Sequence, residues 1–317
     1  MTDFSRRKFM KGAAASLAGL SFAMSGVAAT SRRGESFTPF AGGPYKRDFD
    51  LMKEVMKYPK IDSHVHVSLW SKGPEDNIEF FERLGFTRMY ISRPVTAKEA
   101  PPAAFIKSND MMYETMKKYP GKMVGMVTVN AAYQKESLEE IKRRVDQGFV
   151  GLKAYYHVKI NDPLFYPIIE KMIDLKMIML FHSEATLGVG GYRMKYDKKR
   201  MPNTSVPEDF VDIARRYPEA MFQYAHTGGG PDWEYACKVL KNSPNVYVDI
   251  SGSNNEENMI DFAVKELGEN RVLFATDNMY FQGVANIIAS KLSDVQKRKL
   301  FFDNYNNILK KGGYQIR

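Results

Sequence analysis

Two histidines one residue apart, His64 and His66, preceded by Asp62, are the residues of this 317-residue chain whose types and spacing most suit chemistry. Read as a strand, Ile61-Asp62-Ser63-His64-Val65-His66-Val67 alternates with period two. Asp62, His64 and His66 then share one face, and Ile61, Ser63, Val65 and Val67 share the other. Two neutral imidazoles roughly 7 Å apart along one strand can close on a single metal ion. Two half-buried histidines satisfied by carbonyls would show the same triplet, so the reading depends on what the rest of the chain supplies.

The elements that would position these residues can be read from periodicity. From residue 60 onward, short β-rich runs alternate with helical patterns. Strands are predicted at 61–67, 86–92, 123–129, 150–156, 177–183, 221–227, 246–251 and 272–277. Helices are predicted between them at 75–84, 104–119, 135–147, 164–175, 208–216, 232–240 and 256–267. Tyr119-Pro120-Gly121 and Tyr217-Pro218 stop helices, and Gly85 and Gly148 mark changes from helix to strand. Ser293-Asp294-Val295-Gln296 is a capping box that opens a last helix to about residue 311. Eight strands, each followed by helix, predict an α/β fold of the closed (β/α)8 TIM-barrel type. An open doubly wound sheet usually carries a glycine-rich phosphate turn after its first strand, and Val67-Ser68-Leu69-Trp70 is no such turn.

In a barrel, active sites are built at the C-terminal ends of the strands. His64 and His66 lie on strand 1, His182 ends strand 5, His226 ends strand 6 and Asp277 ends strand 8. Lys153 lies within strand 4, on one face with Gly151 and Tyr155; Ile178, Leu180 and His182 share a face of strand 5. His157 follows strand 4 and reads as a loop residue, and Trp233 reads as core. Segment 185–207 is long and rich in Gly, Tyr, Arg and Lys, as loops over a barrel mouth often are.

Composition narrows the alternatives. With 44% hydrophobic and 26% charged residues the chain suits a globular protein with one large core. The single cysteine, Cys237, excludes an internal disulfide framework and a cysteine-rich zinc site. The formal charge of +9 favours acidic partners, but no basic-aromatic patch suggests nucleic acid. Ser5-Arg6-Arg7-Lys8-Phe9-Met10-Lys11, a Gly/Ala-rich apolar run and the small residues Val27-Ala28-Ala29 have the anatomy of a signal peptide. The arginine pair resembles the twin-arginine export signal. Cleavage after Ala29 would remove four basic residues and one acidic residue, lowering +9 to +6. The expected organisation is therefore a signal at 1–29, a lead-in at 30–58 and one barrel domain at 59–317. The expected partners are the twin-arginine export machinery and a small-molecule substrate. The expected location is the periplasm, with no stable membrane anchor, and assembly into homo-oligomers is left open.

The motifs in this order resemble the amidohydrolase superfamily. More narrowly, they resemble the amidohydrolase-related family that includes the aminocarboxymuconate-semialdehyde decarboxylase type. The matching pieces are Asp62-Ser63-His64-Val65-His66, Gly151-Leu152-Lys153, Phe181-His182-Ser183 and Ala225-His226-Thr227-Gly228-Gly229. They continue with Pro244-Asn245-Val246-Tyr247-Val248-Asp249, Phe274-Ala275-Thr276-Asp277, and Asn304 before Ile308-Leu309. The resemblance covers about residues 60–309. It implies a divalent metal held by His64, His66, His182 and Asp277, with His226 as general acid/base near the metal-bound water; a carboxylate such as Asp277 can bind the metal, orient the water, or both. Three imidazoles and a carboxylate suit zinc or a similar first-row ion. Lys153 would neutralise substrate charge; in some superfamily members a carbamylated lysine at this place bridges a second metal. The chain departs from the usual pattern at Phe274-Ala275-Thr276-Asp277, where Gly-Ser-Asp is common, and at Asn278-Met279-Tyr280, where a proline-containing turn is common.

The leading expectation is a metal-dependent hydrolase of a small amide, lactone or related ester. The alternative is a metal-dependent, non-oxidative decarboxylase of an unsaturated or aromatic carboxylic acid, for which Lys153, Arg93 and Arg193 are candidate cations. A barrel that only binds ligand would have no need to retain His226.

Overall fold

The computed structural model describes residues 49–67, 73–183, 203–227, 232–252 and 258–316. The chain divides into Met1–Phe49 and Asp50–Arg317, and the second unit is the one described below. The expected signal, most of the lead-in, the loop after strand 5 as far as residue 202, and Arg193 lie outside the described residues.

The strands are β1 (Ile61–His66), β2 (Arg88–Ser92), β3 (Met123–Gly125), β4 (Val127–Thr128), β5 (Leu152–Ala154), β6 (Met179–Phe181), β7 (Phe222–Tyr224), β8 (Val246–Asp249) and β9 (Val272–Leu273). Neighbours pair in chain order, β1-β2-β3 and then β4 through β9, and every pairing is parallel. β3 and β4 are two halves of one barrel strand interrupted at Met126. Backbone bonds run across the break, from Met126 N to Ile91 O at 2.8 Å and from Val127 N to Gly151 O at 2.9 Å. The ring closes between β9 and β1, where Ser63 N donates to Phe274 O at 3.2 Å and Asp277 N donates to His64 O at 2.8 Å. The fold is the expected (β/α)8 barrel.

Strand alternation sorts side chains into two apolar layers. Val65, Ile91, Leu152, Met179, Phe181, Phe222, Val246 and Val272 pack outward against helical residues such as Phe81, Met112, Ile141 and Ile168. Ile61, Tyr90, Ile178, Leu180 and Leu273 pack inward and meet Tyr305, Ile308 and Leu309 of the last helix, which seals the floor. The expected capping box is present, with Ser293 accepting from Gln296 N at 3.3 Å.

Three features differ from the sequence reading. The lead-in ends in a short helix, Leu51–Met56, which packs beside helix Tyr280–Ala289. Tyr280–Ala289 is a helix in a stretch to which the sequence reading assigns no element; its Gly283 sits where a Cβ would come within 3.1 Å of Thr276 Cγ2 and 3.3 Å of Ala275 O. A glycine inside this helix lowers local propensity but permits that close approach. Finally, the ladders are shorter than predicted. β6, β7 and β9 end at Phe181, Tyr224 and Leu273, so His182, His226 and Asp277 stand just beyond hydrogen-bonded strand.

Candidate metal centre at the barrel mouth

β1 does not alternate strictly. Ile61 and Asp62 pair with Arg88 and Met89, whereas Val65 and His66 pair with Ile91 and Ser92, leaving Ser63 and His64 opposite the single residue Tyr90. This is a β-bulge, which inserts a residue and re-aims side chains. Ile61 consequently joins the interior layer and Val65 the outer one. Ser63 Oγ accepts from Gln223 Nε2 at 3.1 Å, while its own hydroxyl donates to Phe274 O at 2.9 Å. The expectation that Ile61, Ser63, Val65 and Val67 share one face is therefore corrected. Asp62 does not join the histidines either. Its Oδ2 accepts from Thr276 Oγ1 at 2.6 Å and its Oδ1 from Thr276 N at 3.0 Å, which ties β1 to the end of β9. Burial pushes the Asp62 carboxyl up to about 8.

His64 and His66 do converge. Their Nε2 atoms are 3.3 Å apart. Asp277 Oδ1 lies 3.2 Å from His66 Nε2 and 3.7 Å from His64 Nε2. Donors sharing one first-row cation at roughly 2.1 Å lie about 3.4 Å apart in a tetrahedral shell. Asp277 Oδ1 is buried and accepts no hydrogen bond. Among the described residues, His64, His66 and Asp277 are the group whose donor atoms could meet at one ion. The residues present fit a divalent cation.

The backbone at two site residues is unusual. His226 and Asp277 have φ of 66° and 47°, and Asn278 follows at 68°. Non-glycine residues in this left-handed region are uncommon, and they concentrate where a site over-determines the chain. Asn278 tolerates it better than most. Its amide brackets His66, accepting from His66 N and donating to His66 O, both at 2.7 Å. The departure from a proline-containing turn thus becomes a clamp on β1.

Lys153 on β5 is fully buried, with Nζ 2.8 Å from His64 Nε2. Burial lowers its ammonium to about 8, against the pull of Asp277 and Asp249. Burial also pushes Asp277 up to about 7, with Lys153 opposing. His182, expected as a fourth ligand, stands outside the three-donor group. Its Nδ1 is 2.9 Å from His226 Nε2, and its Nε2 is buried without a partner. Burial takes His182 down to about 3 and holds His64, His66 and His226 well below the ordinary imidazole range. His226 Nδ1 is 3.6 Å from Asp277 Oδ2, and these two side chains are 13% and 24% exposed while that of His64 is sealed. The open side of the site is therefore the His226–Asp277 side. His157 lies apart, its Nε2 3.0 Å from Ala97 O, and Trp233 packs in the core against Phe262. Arg93 directly follows β2, and its carbonyl accepts from Ser108 Oγ at 2.7 Å.

Three residues given no role from sequence are central. Asp249, at the end of β8, faces His64 Nδ1 at 3.2 Å, and Ser251 Oγ lies between Asp249 and His226. Parity pointed at Asp249, since Val246 and Val248 pack outward, but parity alone does not show what an inward carboxylate meets. Ser92, at the end of β2, holds His66 Nδ1 at 3.1 Å.

A sequence model of the family described as Amidohydrolase matches residues 61–304. The chain belongs to the amidohydrolase family. No curated protein sequence matches this amidohydrolase. Among solved structures, 2,6-dihydroxybenzoate decarboxylase from Rhizobium shares 15% identity, covers 81% of this chain and 100% of its own, and superposes with a TM-score of 0.65. A 5-carboxyvanillate decarboxylase from Novosphingobium aromaticivorans, complexed with manganese and 4-hydroxy-3-methoxy-5-nitrobenzoic acid, shares 18% identity over 80% of this chain and 97% of its own, with a TM-score of 0.61. A 4-oxalomesaconate hydratase from Rhodopseudomonas palustris shares 16% identity over 80% and 96%, with a TM-score of 0.60. At these identities the amidohydrolase shares their fold.

Proposed function

We propose that this amidohydrolase is a metal-dependent lyase that decarboxylates a small unsaturated or aromatic carboxylic acid without redox chemistry. Lys153 carries the proposal. Its buried ammonium sits 2.8 Å from His64 Nε2, at the edge of the donor triangle. With a divalent cation bound, the centre holds three positive charges against the two carboxylates of Asp249 and Asp277. A buried surplus of positive charge favours an anionic ligand. The decarboxylases among the structural neighbours support the same reading.

His64, His66 and Asp277 would hold the cation, with His182 offering its unpartnered Nε2. Imidazole and carboxylate donors suit zinc, our first choice, or the manganese found in the Novosphingobium enzyme. When bound, the ion would act as a Lewis acid on substrate oxygens and lower the pKa of water. Lys153 binds and orients the carboxylate. Tyr155, whose ring lies 5.1 Å from Lys153 Nζ and 6.2 Å from the His66 ring, walls the same side. As CO2 leaves, the electron pair stays on the substrate carbon and takes up a proton. His226, beside Asp277 on the open side, is the group placed to relay that proton from solvent to the carbon.

Hydrolysis of a small amide, lactone or ester is the second reading. The observation favouring it is that burial keeps His226 neutral, the form a general base requires. Metal-loaded protein incubated with hydroxylated benzoates and unsaturated diacids should release CO2. Acid release from a lactone, amide or ester panel, with no CO2 from any carboxylate, would replace the lyase by the hydrolase. We further infer one metal with unmodified Lys153; two equivalents of metal with carbamylated lysine would overturn that choice. Export by the twin-arginine route to the periplasm belongs to the same proposal. Changing Arg6-Arg7 to two lysines should leave precursor in the cytoplasm, and unimpeded export would refute it.

A further inference from the structure

The donors and acceptors around Asp249 form a connected chain. Asp249 is completely buried. Its Oδ2 lies 3.2 Å from His64 Nδ1 and accepts from Gln223 Nε2 at 2.9 Å. Its Oδ1 accepts from His226 N at 3.0 Å, Ser251 N at 3.1 Å and Ser251 Oγ at 2.7 Å. Ser251 Oγ lies 3.2 Å from His226 Nδ1, and His226 Nε2 lies 2.9 Å from His182 Nδ1. His182 Nε2, at the far end, is buried with no partner.

Each link constrains the next. A neutral imidazole has one N–H and one bare nitrogen. A carboxylate only accepts, so His64 must donate from Nδ1, leaving Nε2 bare. Lys153, a pure donor at 2.8 Å from that Nε2, requires the same assignment. Ser251 spends its single proton on Asp249, so its oxygen must accept from His226 Nδ1. His226 Nε2 is then bare and must accept from His182 Nδ1. His182 is left with a bare Nε2, the form a metal ligand takes.

We infer that Asp249, acting through Ser251, is the positioning residue that sets the ring protons of His64, His226 and His182, leaving Nε2 of His64 and of His182 ready for a cation. A neutral side chain could not replace it at both ends. With Asp249→Asn, the amide N–H₂ would have to face either His64 Nδ1 or the three donors now on Oδ1, a donor against donors in both cases. This inference rests on the reading of His64 and His182 as cation-binding residues, but its first test needs neither cation nor substrate.

That test is long-range ¹H–¹⁵N spectroscopy of the histidine rings in the metal-free, wild-type protein. The expected result is Nδ1–H on His64, His226 and His182. An Nε2–H on His64 or His182 would overturn the inference whatever the protein catalyses. The second test titrates zinc against a chromophoric chelator. Asp249→Asn should weaken zinc binding about 10–100-fold, the usual cost of losing an orienting partner of a metal-bound histidine. Ser251→Ala should leave His64 as Nδ1–H while His226 and His182 become tautomer mixtures. Zinc affinity within twofold of wild type for a folded Asp249→Asn, or unchanged His182 tautomer in Ser251→Ala, would also overturn it. Should Asp249→Asn fail to fold, the wild-type spectrum still decides.

Discussion

The floor and the mouth of the barrel are built from the same strands and obey opposite rules. On the floor, Ile61, Ile178, Leu180 and Leu273 close against Tyr305, Ile308 and Leu309. A few residues further along those strands stand His64, His66, His182 and Asp277. The floor is sealed, whereas the mouth stays open on its His226–Asp277 side. Apolar burial on the floor stabilises by roughly 25 cal/mol per Å². At the mouth, burying imidazoles, a lysine and carboxylates costs free energy unless each is bonded or meets a cation. The difference teaches where this protein holds its stability and where it holds its reactivity. The unpartnered Asp277 Oδ1 and His182 Nε2 lie at the mouth.

The largest effect should come from removing the mouth's donors. His64→Ala combined with His66→Ala should abolish metal binding and activity while the protein remains folded, by elemental analysis and circular dichroism. Metal retained by this variant would show that the triangle is not the site. Next comes His226→Asn, which should lose roughly 10²–10⁴-fold in rate with metal content close to wild type. Loss of metal from a folded His226→Asn protein would make His226 a ligand instead.

The floor should respond in stability rather than in metal or rate. Leu180→Ala should cost about 2–5 kcal/mol of stability in denaturant unfolding, with the metal stoichiometry of the folded protein unchanged. A Leu180→Ala protein with normal stability but reduced metal would dissolve the distinction.

The pH dependence of metal-free stability should separate the two ends further. Four buried histidines stay neutral in the fold, His182 down to about 3, while the unfolded chain protonates near 6.5. Stability is therefore lost as pH falls below 6.5, by up to about 1.4 kcal/mol per pH unit per histidine. Asp62 and Asp277, raised to about 8 and 7, act in the opposite sense, since the fold keeps protons that the unfolded chain releases above about 4. Four imidazoles outweigh two carboxyls below 6.5; from there to about pH 8 the carboxyls lower stability, and above about 8 the lysines Lys60 and Lys153, both held down to about 8, act in the other sense. Between about pH 4 and 8 the stability curve should peak near pH 6.5. Leu180→Ala should lower this curve without moving its peak; a shifted peak would mean that floor and mouth are coupled.

The smallest expected effect is that of Ser92→Ala. His66 would lose a neutral partner worth about 0.5–1.5 kcal/mol, so metal affinity should fall only a few-fold. A loss as large as that expected for Asp249→Asn would mean that the two histidines are held alike.

What the sequence determined by itself is local. Strand and helix order, the stops at Gly85 and Gly148, the Ser293–Gln296 box and the inward face of Lys153 all follow from neighbours a few residues apart, because propensity and periodicity act over one or two turns. The family motifs likewise placed His64, His66 and Asp277 together. Tertiary structure decided the rest. The bulge that separates Ile61 and Ser63 from Val65 exists because β1 must pair with β2 and also close on β9. His182 turns to His226, 44 residues away, and the partner of His64 is Asp249, 185 residues away. A buried carboxylate is read from sequence as an inward position only. Its role depends on which donors the closed ring brings within about 3 Å of its oxygens, and ring closure is a property of all the strands at once.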